Sequence, residues 1–137
     1  MTSRFIDNQD GSITDSATGL TWSREDSWQS DAKWVTWDEA VEHAQHLSTI
    51  RFCRHADWRL PTLEEAQSLY DTAQTNQDKY GATLHLDPVF PAGALPTVWV
   101  KDDTPGNDGT VFDFRNGEAR PLYKSKSGRM AVRPVRL

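Results

Sequence analysis

Thr36 and Thr62 are each followed, three residues on, by a glutamate (Glu39 and Glu65), and each pair heads an apolar stripe. In such a box the threonine hydroxyl accepts the backbone N–H of the third helical residue, while the glutamate accepts that of the cap itself. Two donors that a helix start would leave unpaired are satisfied, so the box fixes where a helix begins. After Thr36, the residues Trp37, Ala40, Val41, Ala44 and Leu47 recur at helical spacing; after Thr62, Leu63, Ala66, Leu69 and Tyr70 do the same. Two helices are therefore expected mid-chain. Between them, Pro61 holds Trp58-Arg59-Leu60 extended, because the residue before a proline is pushed out of the helical region.

The flanks read as β-structure. Asp10-Gly11 predicts a two-residue hairpin turn, and Gly19 breaks the chain before a short strand at Leu20-Thr21-Trp22. Residues 23–35 are polar and read as a loop, and residues 72–96, with Pro88, Pro91, Gly93 and Pro96, as irregular. Further strands are expected at 97–101, 110–114, 118–124 and 130–136, with a type I′ turn at Asn116-Gly117 and another turn at Ser127-Gly128. Pro121 cannot donate to a sheet ladder, which makes 118–124 an edge. The sum is an α+β domain spanning 1–137, with two helices packed on antiparallel β-sheet.

A chain of 137 residues suits one hydrophobic core, and its six Trp, five Phe and three Tyr supply bulk for it. No apolar run approaches the roughly 20 residues that span a bilayer, so no membrane role is expected. Nor does an apolar stretch follow Met1-Thr2-Ser3-Arg4, so the chain as written is expected in the cytoplasm; behind an export signal it would act at the cell surface. Cys53 is the only cysteine, which rules out an intrachain disulfide. A monomer is expected.

The net charge of −5 hides an asymmetry: residues 115–137 carry +6 and residues 1–114 carry −11. The basic residues are Arg115, Arg120, Lys124, Lys126, Arg129, Arg133 and Arg136. A strip of them would attract an anionic polymer or an acidic protein surface. The plainer reading pairs them with Asp102, Asp103, Asp108 and Asp113 of the same domain. Overall acidity argues against nucleic acid.

Several segments resemble one bacterial family. Phe5-Ile6-Asp7-Asn8-Gln9-Asp10-Gly11-Ser12-Ile13-Thr14-Asp15 and Thr18-Gly19-Leu20-Thr21-Trp22 look like the opening signature of the Lcl C-terminal domain family. Trp37-Asp38-Glu39-Ala40, Asp57-Trp58-Arg59-Leu60-Pro61-Thr62 and Val132-Arg133-Pro134-Val135-Arg136 follow in the expected order. The family is similar to the formylglycine-generating enzymes, which implies a C-type-lectin-like fold with N- and C-terminal strands paired. Its namesake members are surface adhesins that recognise sulfated glycans and carry the domain on a collagen-like stalk. This chain has no Gly-X-Y stalk, and has Trp99-Val100-Lys101 where many relatives carry Trp-Ser-Ser.

Formylglycine-type catalysis uses a pair of cysteines that bind copper, and one cysteine cannot supply it; a non-enzymatic recognition domain is therefore expected, with no catalytic residues. Cys53, between Phe52 and Arg54, is either a small packing residue or a thiol activated by its neighbour. The candidate ligand-binding residues are Trp99, Lys101, Arg115, Lys124, Lys126 and Arg129, a cationic strip beside an aromatic platform. Asp102, Asp103, Asn107 and Asp108 form a candidate calcium set, since calcium takes several oxygen ligands; otherwise no cofactor is expected. His43 and His46, three apart on the first helix, lack the partners of a zinc site. Trp28 and Trp34 are either core or further stacking surface, while Trp22, Trp37 and Trp58 are assigned to the core. The expected partner is an anionic glycan or an acidic surface; the alternative is a cytoplasmic protein–protein module.

Overall fold

The computed structural model describes residues 4–102 and 106–137. Three strands open the chain as a meander: β1 (Phe5–Asp7), β2 (Ser12–Asp15) and β3 (Leu20–Ser23). Three helices follow: α1 (Ser27–Asp31), α2 (Trp37–Thr49) and α3 (Leu63–Leu69). After a small hairpin of β4 (Asn76–Gln77) and β5 (Thr83–Leu84) come β6 (Thr97–Trp99), β7 (Asp108–Asp113), β8 (Ala119–Tyr123), β9 (Met130–Ala131) and β10 (Val135–Arg136). The architecture is α+β, with strand orders β1-β2-β3-β10 and β8-β7-β6-β9 in its two larger sheets. Only the β6–β9 pair is parallel among the described strand pairs.

Both capping boxes form. The Thr36 hydroxyl accepts the Glu39 N–H and the Thr62 hydroxyl accepts the Glu65 N–H, each glutamate returning the bond. The stripe behind Thr36 buries Ala40, Ala44 and Leu47, the two alanines against Trp99, Val111, Met130 and Val132; the stripe behind Thr62 buries Ala66 and Leu69 against Ile13, Trp22, Phe90 and Phe112. Expectation and structure part at 23–35. There Asp26 caps α1, accepting the Gln29 N–H at 2.8 Å while the Gln29 side chain accepts the Asp26 N–H. A third helix thus stands where a loop was expected.

The turns fall where glycine predicts but are longer than two residues. Asn8 N–H reaches Ser12 O at 3.1 Å, leaving Gln9, Asp10 and Gly11 as a three-residue loop with Gln9 and Gly11 at positive φ. At Asn116-Gly117 only Gly117 has positive φ, and its N–H returns to Asp113 O at 2.8 Å, a wider turn than type I′. Pro121 lies on edge strand β8, as expected.

The segment expected as one strand at 130–136 divides between the sheets: β9 pairs with β6, and β10 pairs with β3. The C-terminal strand therefore joins the N-terminal sheet, with β3 as its neighbour. Between β9 and β10 the Arg133 side chain turns inward and is buried, donating to Ser23 O and Arg24 O with its guanidinium 4.8 Å from the Phe90 ring centre. Arg59 and Val135 exchange backbone bonds of 2.9 Å each, so segment 58–60 extends this sheet beyond β10. Arg59 then grips Glu65 through two bonds of 2.6 and 2.8 Å, and Leu60 is buried. Among the described residues, no helix is long and apolar enough to cross a membrane.

Candidate functional site

Asp113 ends β7 with its side chain fully buried, and two arginines reach it, one from each side of the Asn116-Gly117 turn. Arg115 donates Nε and Nη2 to its carboxylate at 3.2 and 2.9 Å, and Arg120 donates Nη1 at 3.0 Å. Burial by itself raises the Asp113 pKa; the bonds from Arg115 and Arg120 outweigh it and hold the carboxyl below the usual range. In β8 the burial alternates, so Arg120 and Leu122 share one face while Pro121 and Tyr123 point to solvent.

That shared face meets the turn before β9. Arg129 adopts φ 61°, its carbonyl accepts the Thr97 hydroxyl at 3.0 Å, and its guanidinium lies 5.1 Å from the Tyr80 ring centre. Tyr80, Arg115, Arg120, Leu122, Arg129 and Met130 line a pocket of about 220 Å³. Two guanidiniums thus sit on one buried carboxylate and a third lies over one exposed phenol ring, all three lining one pocket, with Arg115 and Arg120 still 47% and 42% exposed. Lys79 extends the cluster, its ammonium 4.4 Å from the Trp28 ring centre and 5.4 Å from that of Tyr80. Alternating rings and cations of this kind hold each other upright. Guanidinium donors not used by Asp113 can bind a sulfate or carboxylate bidentately.

The expected strip therefore separates. Arg115 and Arg129 come together with Arg120. Lys124 instead sits 4.3 Å over the Trp37 ring, beside Asn107, and exposed Lys101 lies at the rim of a groove lined by Trp37, Trp58 and Leu60. Lys126 is exposed and lines neither site. Arg136 is mostly covered and pairs with Asp57 at 2.6 Å. Trp99 must be corrected: it is 0% exposed and its Nε1 donates to Val35 O at 2.8 Å, so it cannot serve as a stacking platform. All three residues of β6 are buried, which leaves that strand no solvent face. Trp22 and Trp58 are core as assigned, whereas Trp37 is half-buried at the surface and Trp34 is exposed.

Of the candidate calcium set, Asp102 accepts the Thr110 hydroxyl at 3.4 Å, Asp108 pairs with Tyr123 at the start of β7, and Asp103 lies outside the described residues. No three His, Cys, Asp or Glu side chains among the described residues are grouped as a metal site.

The model of the Lcl C-terminal domain matches residues 11–136. The chain belongs to the Lcl C-terminal domain family. Among curated proteins, none matches it. In this Lcl C-terminal domain residues 58–60 and 132–136 lie at a joint of the fold, bonded to each other and to the end of β3, away from the arginine pocket. Cys53 donates to Asp10 O at 3.1 Å, and burial together with nearby Asp10 pushes the thiol up to about 11, the opposite of activation. His43 is 3.5 Å from Asp31, and burial draws its pKa below the ordinary histidine value against the pull of that carboxylate.

Arg120 and Tyr80 are the site residues that sequence reasoning missed. A signal for Arg120 is present: Asn116-Gly117 folds the chain back, so a basic residue on each side of it lands near Asp113. Tyr80 lies in the stretch read as irregular, and only tertiary structure brings it to Arg129.

Proposed function

We propose that this domain is a non-enzymatic recognition module with a C-type-lectin-like fold, binding a glycan that carries sulfate or carboxylate groups. One observation carries the reading: Arg115, Arg120, Arg129 and the exposed Tyr80 ring line one pocket, and Asp113 is the single carboxylate bonded to their guanidiniums among the described residues. The guanidiniums would take the anionic substituent, and the Tyr80 and Trp28 rings would take sugar faces. The joining of the C-terminal strand to the N-terminal sheet agrees with a lectin-like arrangement, as does the resemblance of the family to glycan-binding adhesins. A lone thiol with a raised pKa supports recognition rather than cysteine-pair oxidation.

Retention on immobilised heparin is the test, using Arg115→Ala and Arg129→Asn, the latter because asparagine tolerates positive φ. Both variants should elute at lower salt than wild type, Arg129→Asn with an unchanged melting temperature and Arg115→Ala with a lowered one because buried Asp113 keeps only Arg120, and polyglutamate should compete poorly. A glycan array with and without EDTA then decides whether calcium takes part. Equal retention of all three proteins, or elution by polyglutamate ahead of sulfated oligosaccharide, would overturn the glycan reading; the second result would point to an acidic protein partner.

A further inference from the structure

We infer that Asn116 is a site of self-modification, where the side-chain amide is lost to attack by the Gly117 backbone nitrogen and a carboxylate takes its place beside the arginine pocket. Asn116-Gly117 lies in the turn between β7 and β8, with Asn116 exposed. Glycine is required at 117 on two counts: its φ is 74°, and a Cβ there would stand 2.8 Å from the Tyr70 ring. The fold thus places after Asn116 the one residue with no side chain to hinder its own nitrogen as a nucleophile.

The reaction needs only water and hydroxide. Gly117 N gives its proton to hydroxide and bonds to Asn116 Cγ; the Cγ–Nδ2 bond breaks, and the nitrogen leaves as ammonia after taking a proton from water. The five-membered imide so formed takes up one water at either carbonyl. Opening one way gives aspartate; opening the other gives isoaspartate, with the chain running through the former side chain. In sum, one water is consumed, one ammonia is released and one negative charge is gained at neutral pH. The turn favours the first step, because Glu118 N–H donates to Asn116 Oδ1 at 3.0 Å and so faces the oxygen on which charge develops. Gly117 N–H is held by Asp113 O at 2.8 Å, so attack waits on the opening of that bond, next to edge strand β8.

The other three asparagines lack this arrangement. Asn8 is followed by Gln9, and its Nδ2 donates to Ser12 Oγ and Thr14 Oγ1. Asn76 Nδ2 donates to Phe90 O at 2.8 Å, and its Oδ1 accepts the Gln77 N–H, the same nitrogen that would have to attack. Asn107 is followed by Asp108, whose Cβ hinders attack and whose charge repels hydroxide. Asp10-Gly11 has the glycine, but an ionised carboxylate is a poor acyl donor, and Ser12 holds its Oδ1 through N–H and hydroxyl at 2.9 and 2.6 Å. The carboxylate formed at 116 adjoins Arg115, in the turn that also carries Arg120, so the local surplus of cations shrinks; isoaspartate lengthens the turn as well. Anion binding at the pocket should therefore decline as the protein ages, a consequence that, unlike the chemistry, rests on the glycan reading.

Incubation of the folded protein in mildly alkaline and mildly acidic buffer, beside a sample kept unfolded in guanidinium, tests the inference, with peptide mass spectra following each asparagine over time. The expected result is aspartate and isoaspartate at 116, formed faster in alkali and at a rate within about tenfold of the unfolded chain, the cost of opening one turn hydrogen bond. Asn8, Asn76 and Asn107 should remain amides in the folded protein over the same period. Asn116→Gln, whose longer side chain would have to close a six-membered ring, should remove the change. No product at 116 in folded protein while the unfolded chain reacts, or equal conversion at the other folded asparagines, would overturn the inference. Wild type and Asn116→Asp are then compared on immobilised heparin. The variant should elute at lower salt, and identical elution of two retained proteins would overturn the effect on the pocket. Wild type that is not retained at all would refute the glycan reading, whereas the mass spectra decide the chemistry by themselves.

Discussion

Asp15 and Asp113 are both fully buried carboxylates at strand ends, and they are satisfied in opposite ways. Asp15 accepts two bonds from Arg4 at 2.8 and 2.7 Å, one from Ala17 N–H at 3.0 Å and one from the Thr18 hydroxyl at 2.9 Å. Arg4 also donates to Ser68 O at 2.9 Å, so one cation and one anion form a closed network tying the start of the chain to α3. Asp113 has two arginines on it, and each leaves donors facing solvent. The first arrangement is a clasp. The second holds its arginines in place but cannot neutralise them, which is what sets the proposed binding surface apart from the structural joint. The same contrast runs along the basic tail: Arg133 is buried against backbone carbonyls, while Arg129, four residues earlier, lies over an exposed ring.

Asparagine at each carboxylate breaks this comparison most sharply. Asp15→Asn should cost about 2–3 kcal/mol in chemical denaturation, because it strips the charge from a buried, fully used acceptor. Its heparin retention should match wild type. Asp113→Asn should cost somewhat less, since the arginines it abandons are half exposed, yet it should raise the salt needed for elution by releasing two guanidiniums. Equal effects of the two substitutions on retention would erase the distinction.

Acid titration gives a smaller effect. Both carboxyls are held below their ordinary range in the folded protein, against the upward push of burial, by the arginines and N–H groups that bind them. Their stabilisation is fully present above the unfolded value of about 3.9 and is lost as pH falls through the depressed folded values. Below about pH 4, stability should therefore fall less steeply in either asparagine variant than in wild type, as measured by urea denaturation across that range. Parallel curves would mean that the two pairs contribute nothing to acid sensitivity.

How much of this is legible in the sequence depends on the range of the interaction. Thr36 with Glu39 and Thr62 with Glu65 are local contacts, and both helices start where those pairs say. Asp26 with Gln29 carries the same chemistry, but the five residues of α1 hold no apolar stripe to draw attention to it. Gly11 and Gly117 mark where the chain reverses without setting how many residues the turn needs. Residues 130–136 look like one strand because alternation is blind to which sheet a residue joins. Trp99 defeats sequence reasoning for a related reason: a strand covered on both faces has no outward side for an aromatic ring. Arg115 and Arg129 can be picked from the charge asymmetry, and the turn at Asn116-Gly117 brings Arg120 beside Arg115, but the meeting of that hairpin with Arg129 and Tyr80 is written nowhere in local sequence.

The central claim is that anion binding belongs to the arginine pocket, and the salt dependence of affinity tests it most directly. The affinity of a heparin oligosaccharide should be measured by calorimetry over a range of salt for wild type, for Arg115→Ala with Arg129→Asn, and for Lys124→Ala with Lys126→Ala. Deleting one cation that neutralises a ligand anion lowers the slope of log affinity against log salt by about one unit, so the arginine variant should be shallower by roughly two. The lysine variant should keep the wild-type slope. A slope unchanged by the arginine substitutions, or reduced as much by the lysine ones, would contradict the account.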